Sequence, residues 1–189
     1  KLDEKTSRIN EMKINQLKKI LNSFGDSVYF EHDLKKKNWF NIGGKSKVFF
    51  KADNLNQLIE FLKIINNRER IFILGAGSNI LVTDGLYDGV VIKLGKNFSN
   101  ITLHSEDIII AGSAVLDKSL SYFALKNNLS GFEFLSCIPG TIGGGIRMNA
   151  GCFENEFKDI LLSVQVIDKI GNVKTLSSKN INFEYRKSN

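Results

Sequence analysis

The sequence contains few of the residues that build metal sites and cross-links. Only two cysteines and two histidines occur among its 189 residues. Cys137 and Cys152 form no CxxC pair, and two histidines are too few for the usual kind of zinc site, so we predict free thiols and no bound metal. The sequence also has no run of about twenty apolar residues and no secretory signal pattern. We therefore expect a cytoplasmic protein that does not act in a membrane.

The charge is weighted toward basic residues. Lys and Arg number 26 and Asp and Glu number 20, which gives a formal net charge of +6. Proteins that bind single-stranded nucleic acid interleave cations with aromatic residues, but the densest clusters, Lys18-Lys19 and Lys35-Lys36-Lys37, lack this interleaving. We therefore expect no nucleic-acid partner. The same positive charge favours small anionic ligands such as dinucleotides.

The N-terminal third has clear helical and strand patterns. Apolar residues recur at three- and four-residue spacing from Ile9 to Phe24, which predicts one amphipathic helix that ends at Gly25. "KVFFKA" predicts a strand, "NLNQLIEFLKIINN" predicts a helix capped by Asp53 or Asn54, and "RIFIL" predicts a second strand. These three elements together form a βαβ unit.

The rest of the chain alternates short strands with one further helix. Strands are predicted in "ILV", "VVIK" and "DIIIAGS", and a helix in "DKSLSYFALKNN". Two more strands flank a Gly171-Asn172 turn and predict a hairpin. We divide the chain into an N-terminal helical segment (1–33), a first α+β unit (34–97) and a second one (98–189) that is incomplete at its C-terminal end.

Two glycine-rich loops need a functional explanation. "GAGSN", from Gly75 to Asn79, directly follows a predicted strand, but the Rossmann pattern would need glycine at Ile80 and a helix afterwards. In "CIPGTIGGGIRMNAGC", Gly140 and Gly145 have the spacing of a Walker A loop without its lysine and hydroxyl residue. Either loop alone could be a tight turn. Together they favour a shared diphosphate ligand, because glycine lets backbone N–H groups approach an oxyanion.

Four motifs resemble those of one enzyme family. They are "NWFNIGGKSKVFF", "LGAGSNILV", "GFEFLSCIPGTIGGGIRMNAG" and "FEYRKS". Their order and spacing resemble the UDP-N-acetylenolpyruvoylglucosamine reductases, also called UDP-N-acetylmuramate dehydrogenases. The resemblance implies an α+β, vanillyl-alcohol-oxidase/PCMH-type FAD-binding fold, in which two α+β subdomains hold the flavin between them.

The resemblance also implies a set of cofactor-binding residues. Non-covalent FAD would lie between the first loop and the second, with NADPH as co-substrate. The implied residues are Gly75, Ala76, Gly77, Ser78, Asn79, Ile80, Pro139, Gly140, Thr141, Gly143, Gly144 and Ala150. Weaker candidates are Ile42, Gly43, Gly44, Met148 and Asn149, of which Asn149 has the alternative role of a turn-forming residue.

The resemblance also implies that the "YR" pair near the end of the chain takes part in the reaction. Arg186 matches the family arginine that lies beside the enolpyruvyl group of the substrate, UDP-N-acetylglucosamine enolpyruvate. A fixed guanidinium there would stabilise charge that develops on the substrate carboxylate. Tyr185 could line the same site or simply be a packing residue.

The resemblance leaves one part of the family's enzyme unaccounted for. The third, substrate-binding domain, with its proton-donating serine and a glutamate, does not occur in these 189 residues. We therefore expect this chain alone to be inactive, and we expect it to be a monomer. Two alternatives stay open, namely an oxidase with the same FAD-binding fold and a non-enzymatic module that binds a nucleotide or nucleic acid through its basic surface.

Overall fold

The structure is a computed structural model that describes residues 14–189. The helices are α1 (14–21), α2 (Leu55–Ile65), α3 (Asp117–Lys126), α4 (Ile142–Met148) and α5 (Phe157–Ile160), with 3₁₀ helices at Asn22–Ser27, Lys35–Lys37, Lys96–Phe98, Glu133–Cys137 and Ser178–Asn180. The strands are β1 (Val28–Asp33), β2 (Lys45–Ala52), β3 (Ile71–Leu74), β4 (Leu86–Leu94), β5 (Ile101–Leu103), β6 (Ile109–Ala111), β7 (Gly151–Cys152), β8 (Asn155–Glu156), β9 (Ser163–Ile167), β10 (Val173–Ser177), β11 (Phe183–Glu184) and β12 (Lys187–Ser188).

A four-stranded sheet forms the centre of the first unit. Its strand order is β1-β2-β4-β3, with β1 antiparallel to β2 and with β2 and β3 both parallel to β4. The βαβ unit predicted from the sequence is present, but β4 lies between its two strands. The carboxyl end of β3 leads directly into the first glycine loop, so the sheet determines where that loop begins.

Helix α2 covers one face of this sheet. Asn54 caps it, because its side chain accepts a hydrogen bond of 2.9 Å from the N–H of Gln57. The helix buries Leu58, Phe61, Leu62 and Ile65, which have the three- and four-residue spacing of a single face. The rings of Phe61 and Phe50 of β2 stack with centroids 3.8 Å apart. This aromatic contact joins the helix to the sheet in the first core.

The opposite face of the sheet packs against loops. Alternate residues of the strands, Phe49 of β2 and Val91 of β4, point away from α2 and join Leu34 and Leu74 in a second buried cluster. Lys37 lies over the ring of Phe49, and Ile80, which directly follows the first glycine loop, packs against this cluster. The side of the sheet without a helix therefore supports the glycine loop.

A separate core holds the second unit together. Val115, Leu120, Leu135, Ile142 and Phe157 are buried there, and they come from α3, α4, α5 and the segments between them. The β9–β10 hairpin predicted around Gly171-Asn172 is confirmed. It also packs back on the first unit, because Ile167 touches the first core and a Cβ on Gly171 would lie 3.1 Å from the carbonyl oxygen of Ile59 in α2.

Two details differ from the sequence prediction. The strand predicted in "ILV" is wrong, since residues 80–82 have no strand pairing, and Leu81 is largely exposed. Helix α1 ends at residue 21 and continues as a 3₁₀ helix through Gly25, whose φ is 49°. The start of that predicted helix, at Ile9, lies outside the described residues. The division of the chain at residue 97 stays a prediction.

Residues 14–189 contain neither a membrane-spanning helix nor a cluster of metal-ligating side chains. Within residues 14–189, no helix has both the length and the apolar character that crossing a membrane requires. In the same part of the chain, no three or more His, Cys, Asp and Glu side chains lie together as metal ligands would.

One carboxylate is buried without a partner. Asp117, the first residue of α3, has no exposed surface, and neither of its side-chain oxygens accepts a hydrogen bond from the described residues. One of these oxygens lies 2.5 Å from the position that a Cβ on Gly140 would occupy. Burial raises the pKa of this carboxyl group to about 7.

The buried Asp117 predicts a pH-dependent stability. Its pKa in the folded state, about 7, lies above the ordinary 3.8, so between these values the folded state keeps a proton that the unfolded state has released. The free energy of unfolding should therefore fall as pH rises through this range. Asp117→Asn should remove that fall and add on the order of 2 kcal/mol at pH 8. Urea unfolding at pH 5 and pH 8 measures both effects.

An exposed aspartate provides the control. Asp84→Asn removes the same charge from the surface and should leave the difference between pH 5 and pH 8 unchanged. If Asp117→Asn changed the unfolding free energy equally at both pH values, the buried carboxyl would not be the titrating group.

Candidate functional site

The first glycine loop presents a row of free backbone donors. Within the described chain, the N–H groups of Ala76, Gly77, Ser78 and Asn79 donate no hydrogen bond. Only Asn79 of these four residues is classed as exposed. Four successive unpaired N–H groups in a partly buried loop are a feature of anion-binding backbone.

The carbonyl groups of this loop point into the protein. The oxygen of Gly75 accepts a hydrogen bond of 2.7 Å from Nζ of Lys93, and the oxygen of Gly77 accepts one of 3.0 Å from the N–H of Trp39. In a trans peptide the C=O and the following N–H point in opposite directions. The N–H groups of Ala76 and Ser78 are therefore directed away from these internal partners.

Gly77 cannot be replaced by another residue without strain. Its φ is +74°, in the region that favours glycine, and an added Cβ would collide with the carbonyl oxygen of Lys37. The sequence predicts that this glycine allows the backbone to approach a ligand. In the structure, the segment that precedes Trp39 occupies the space next to it. The loop conformation itself therefore requires glycine here.

The two glycine loops touch each other. A Cβ on Gly75 would lie 2.8 Å from Oγ1 of Thr141, which is a buried residue of the second loop. The loops predicted to share a ligand are thus brought together although 66 positions separate these two residues in the numbering. They come from different hydrophobic cores, and the contact lies where the two units meet.

The N–H groups of the second loop are mostly paired internally. Those of Ile142 and Gly143 donate to the carbonyl oxygens of Val115 and Ser113, each at 2.9 Å. Thr141 caps α4 through a hydrogen bond of 3.4 Å from the N–H of Gly144. The second loop therefore contributes shape and side-chain atoms to the site more than free backbone donors.

Glycines of the second loop are needed for packing. A Cβ on Gly140 would touch Asp117, and one on Gly143 would lie 3.0 Å from Cβ of Ser113. Gly145, which the sequence argument did not include in the site, has the least space, because a Cβ there would overlap the ring of Phe157. The run of three glycines was the sequence signal for this close packing.

The remaining candidates differ in how they could reach a ligand. Pro139 is exposed and Ile80 is half-buried beside Leu34 and its neighbours. Ala150 uses its N–H and its carbonyl in hydrogen bonds to Gly145 and Phe157, and its side chain packs on the second core. The N–H and C=O groups of Ala150 are therefore already paired and do not remain free to bind a cofactor.

Asn149 has a structural role. It is fully buried in left-handed conformation at the end of α4, and its amide donates to Glu156 and to the carbonyl oxygen of Glu184. Its own side-chain oxygen accepts from the N–H of Lys158. All three bonds join separate segments, so Asn149 is a turn residue that also ties neighbouring strands to α4.

Arg186 lies in the tight turn of the β11–β12 hairpin. Its φ is +57°, and its guanidinium donates a hydrogen bond of 3.0 Å to the carbonyl oxygen of Gly151. It also lies over the ring of Tyr185, 5.3 Å from the centroid. Tyr185 itself is 81% exposed in the described chain. Both residues line a cavity of about 410 Å³ together with Cys152 and Glu156.

Two residues fix this hairpin to α4. The hydroxyl of Ser188 donates to the carbonyl oxygens of Ile146 and Arg147 at 2.8 and 3.1 Å, which satisfies the end of the helix. Asn149 holds the other strand through Glu184. Sequence reasoning did not find Ser188, although it closes the "YRKS" motif. Helix α4 has seven residues, or about 10 Å, and joins the second glycine loop to the hairpin that carries Arg186.

The cavity around Arg186 contains charges of both signs. A hydrogen bond from Lys158, and to a smaller extent the positive charge of Arg186, hold the pKa of Glu156 below its ordinary value. Lys158 and Glu156 form an ion pair of 2.6 Å. The guanidinium of Arg186 forms no ion pair within the described chain. Its N–H groups can therefore donate hydrogen bonds to a carboxylate ligand.

Comparison with known proteins identifies the fold. The chain is 59% identical over 175 residues to the UDP-N-acetylenolpyruvoylglucosamine reductase of Pelagibacter ubique, a match that covers 93% of this chain and 58% of that protein. The crystal structure of the reductase from Thermus caldophilus superposes with a TM-score of 0.71 at 28% identity, covering 85% of this chain and 55% of the other. The chain spans about half the length of the relatives that it matches.

A more distant structure agrees on the fold alone. The crystal structure of p-cresol methylhydroxylase with substrate bound has a TM-score of 0.57 at 16% identity, covering 87% of this chain and 35% of that one. The α+β, vanillyl-alcohol-oxidase/PCMH-type fold and the resemblance to the reductases are therefore confirmed. The family described as "FAD binding domain" matches residues 46–177, which is well over half of the chain, and the chain belongs to that family.

Proposed function

We propose that this chain binds FAD at its two glycine loops as part of a reductase that converts UDP-N-acetylglucosamine enolpyruvate to UDP-N-acetylmuramate with NADPH. The observation that carries the proposal is the row of four unpaired N–H groups, residues 76–79, beside Thr141. The substrate is supported by the 59% identity to a reductase with that name.

The residues present suit a flavin dinucleotide. The diphosphate of FAD carries two negative charges, and backbone N–H groups that lack partners can bind it without a metal ion. Ala76 to Asn79 would supply these donors, while the ammonium of Lys93 adds positive charge directly behind Gly75. Pro139, Gly140, Thr141 and the neighbouring glycines would cover the cofactor from the second unit.

Arg186 would act on the substrate. When bound, FAD would supply the hydride chemistry that links NADPH to the enolpyruvyl carbon. Negative charge then develops toward the substrate carboxylate, where a guanidinium can form two parallel hydrogen bonds. The bond from Arg186 to Gly151 and its stacking on Tyr185 would hold the guanidinium in place before the substrate arrives. Ser188 and Asn149 would position the hairpin.

Other parts of the sequence argument stay predictions. These are the cytoplasmic location, the monomeric state, the lack of a nucleic-acid partner and the inactivity of this chain by itself.

Adding a single methyl group at Gly77 tests whether the first glycine loop binds FAD. Gly77→Ala should weaken FAD binding at least about tenfold, because the left-handed conformation costs about 1–2 kcal/mol and the new methyl collides with Lys37. The loop must shift and its N–H groups move with it. Quenching of flavin fluorescence on titration measures the affinity, and far-UV circular dichroism checks the fold.

Gly131→Ala is the matched control. Gly131 has a similar φ of +91°, but a Cβ there meets nothing within 4 Å. This variant should bear a similar backbone strain and bind FAD within about twofold of the wild type. Equal affinities for all three proteins would mean that the first loop does not hold the diphosphate.

The flavin should be held without a covalent bond. Neither glycine loop contains histidine, and Cys152 is the one thiol among the cavity residues around Arg186. Acid precipitation of the yellow protein should release all of its colour into the supernatant. Colour that stays in the pellet of the wild type but not of Cys152→Ser would show a thioether and contradict the prediction.

Arg186 is tested in a polypeptide that carries this sequence at the full length of its relatives. After anaerobic reduction with NADPH, UDP-N-acetylglucosamine enolpyruvate is added and the return of oxidised flavin absorbance is followed. Arg186→Ala should slow this step about a hundredfold to a thousandfold, corresponding to about 3 kcal/mol of lost charge stabilisation. Reduction by NADPH should change little.

The neighbouring lysine provides a matched control for charge. Lys187 is exposed and pairs only loosely with Glu184, at 3.7 Å, so Lys187→Ala should leave both half-reactions within about twofold. Equal slowing of both half-reactions by Arg186→Ala would argue against a role in hydride transfer. Rapid turnover with oxygen alone would instead favour an oxidase.

A further inference from the structure

Lys93 is the one charged residue in an otherwise apolar stretch of β4. The register pairs it with Leu74, the last residue of β3, so it stands beside the point where the first glycine loop begins. Alternation along the strand places it on the same face as Val91, the face that packs against loops, while Ile92 points into the first core. The strand thus places the ammonium group of Lys93 next to the first glycine loop, on the side that faces the protein.

The ammonium of Lys93 has an incomplete set of partners. Its single hydrogen bond within the described residues is the 2.7 Å contact with the oxygen of Gly75. The side chain is half-buried, and no carboxylate in that part of the chain forms an ion pair with it. Burial lowers the pKa of Lys93, and the positive charge of Lys37 lowers it further.

A second buried lysine of the same sheet has a different environment. Lys47 of β2 is 7% exposed at its side chain and forms ion pairs with Glu69 at 2.9 Å and Asp88 at 3.1 Å. A buried cation is costly unless it is paired, and Lys47 follows that rule. Lys93 departs from it beside the first glycine loop, where the N–H groups of residues 76–79 donate no hydrogen bond within the described chain.

We propose that Lys93 is a positioning residue for the diphosphate of the flavin cofactor, which it orients through the peptide between Gly75 and Ala76 and whose negative charge it balances. The inference rests on the proposed binding of FAD by this loop. Because Lys93 holds the Gly75 carbonyl inward, the N–H of Ala76 is turned outward in the geometry that an anion needs. The bound diphosphate in turn supplies the counter-charge that the protein does not.

The test compares FAD affinity and stability in the 189-residue chain. Lys93→Met keeps most of the apolar stem and removes the charge, and it should weaken FAD binding about tenfold to a hundredfold, as loss of a hydrogen bond to a charged group does. Without FAD its thermal midpoint should be equal to or above that of the wild type, because an unpaired half-buried cation has been removed. Lys93→Arg, which restores the charge, should bind FAD within about fivefold of the wild type.

A surface lysine controls for net charge. Lys51→Met on β2 removes one exposed positive charge and should bind FAD within about twofold of the wild type. The proposal is overturned if Lys93→Met binds FAD as tightly as the wild type, if Lys93→Arg loses as much affinity as Lys93→Met, or if flavin-free Lys93→Met is clearly less stable. A wild-type chain that does not bind FAD at all would instead overturn the proposed function.

Discussion

The contact between the two glycine loops constrains the rest of the site. Gly75 meets the buried hydroxyl of Thr141 with no room for a Cβ between them. Lys93 donates a hydrogen bond to the carbonyl oxygen of Gly75, and Thr141 is the N-cap residue of α4, so other contacts also fix both residues. This contact joins the two units at the place where a cofactor would lie.

Three titratable side chains that are buried or half-buried, Lys47, Asp117 and Lys93, have different sets of partners. Lys47 is paired with two carboxylates, as a buried cation normally is. Asp117 has no partner, and burial shifts its pKa so that it can be neutral. Lys93 has a carbonyl oxygen as its partner, which leaves its charge uncompensated within the described chain. Asp117 lies beside Gly140 and Lys93 beside Gly75, so two titratable side chains without an ion-pair partner in the described chain adjoin the candidate site.

The hairpin that carries Arg186 depends on secondary contacts for its geometry. A two-stranded hairpin of two residues per strand has little stability of its own. Ser188 and Asn149 attach both of its strands to the C-terminal end of α4, while Thr141 caps the N-terminal end of the same helix. One short helix thus sets the distance between the second glycine loop and Arg186, and a change at either end should be transmitted to the other.

The amino-acid sequence by itself determined the local elements and the location of the loops. Helix α2 with a cap at Asp53 or Asn54, the strands β2 to β4 and the β9–β10 hairpin follow from hydrophobic spacing and turn residues, which act over a few positions. The glycine-rich loops and Arg186 were visible as motifs. The strand predicted in "ILV" failed because a short apolar run has no partner strand until the sheet order is known. Only the tertiary structure decided that Gly75 meets Thr141, that Lys93 reaches beneath the loop, and that Gly145, Asn149 and Ser188 support the site. These contacts join residues far apart in sequence, and their geometry depends on strand register and core packing, which no local pattern encodes.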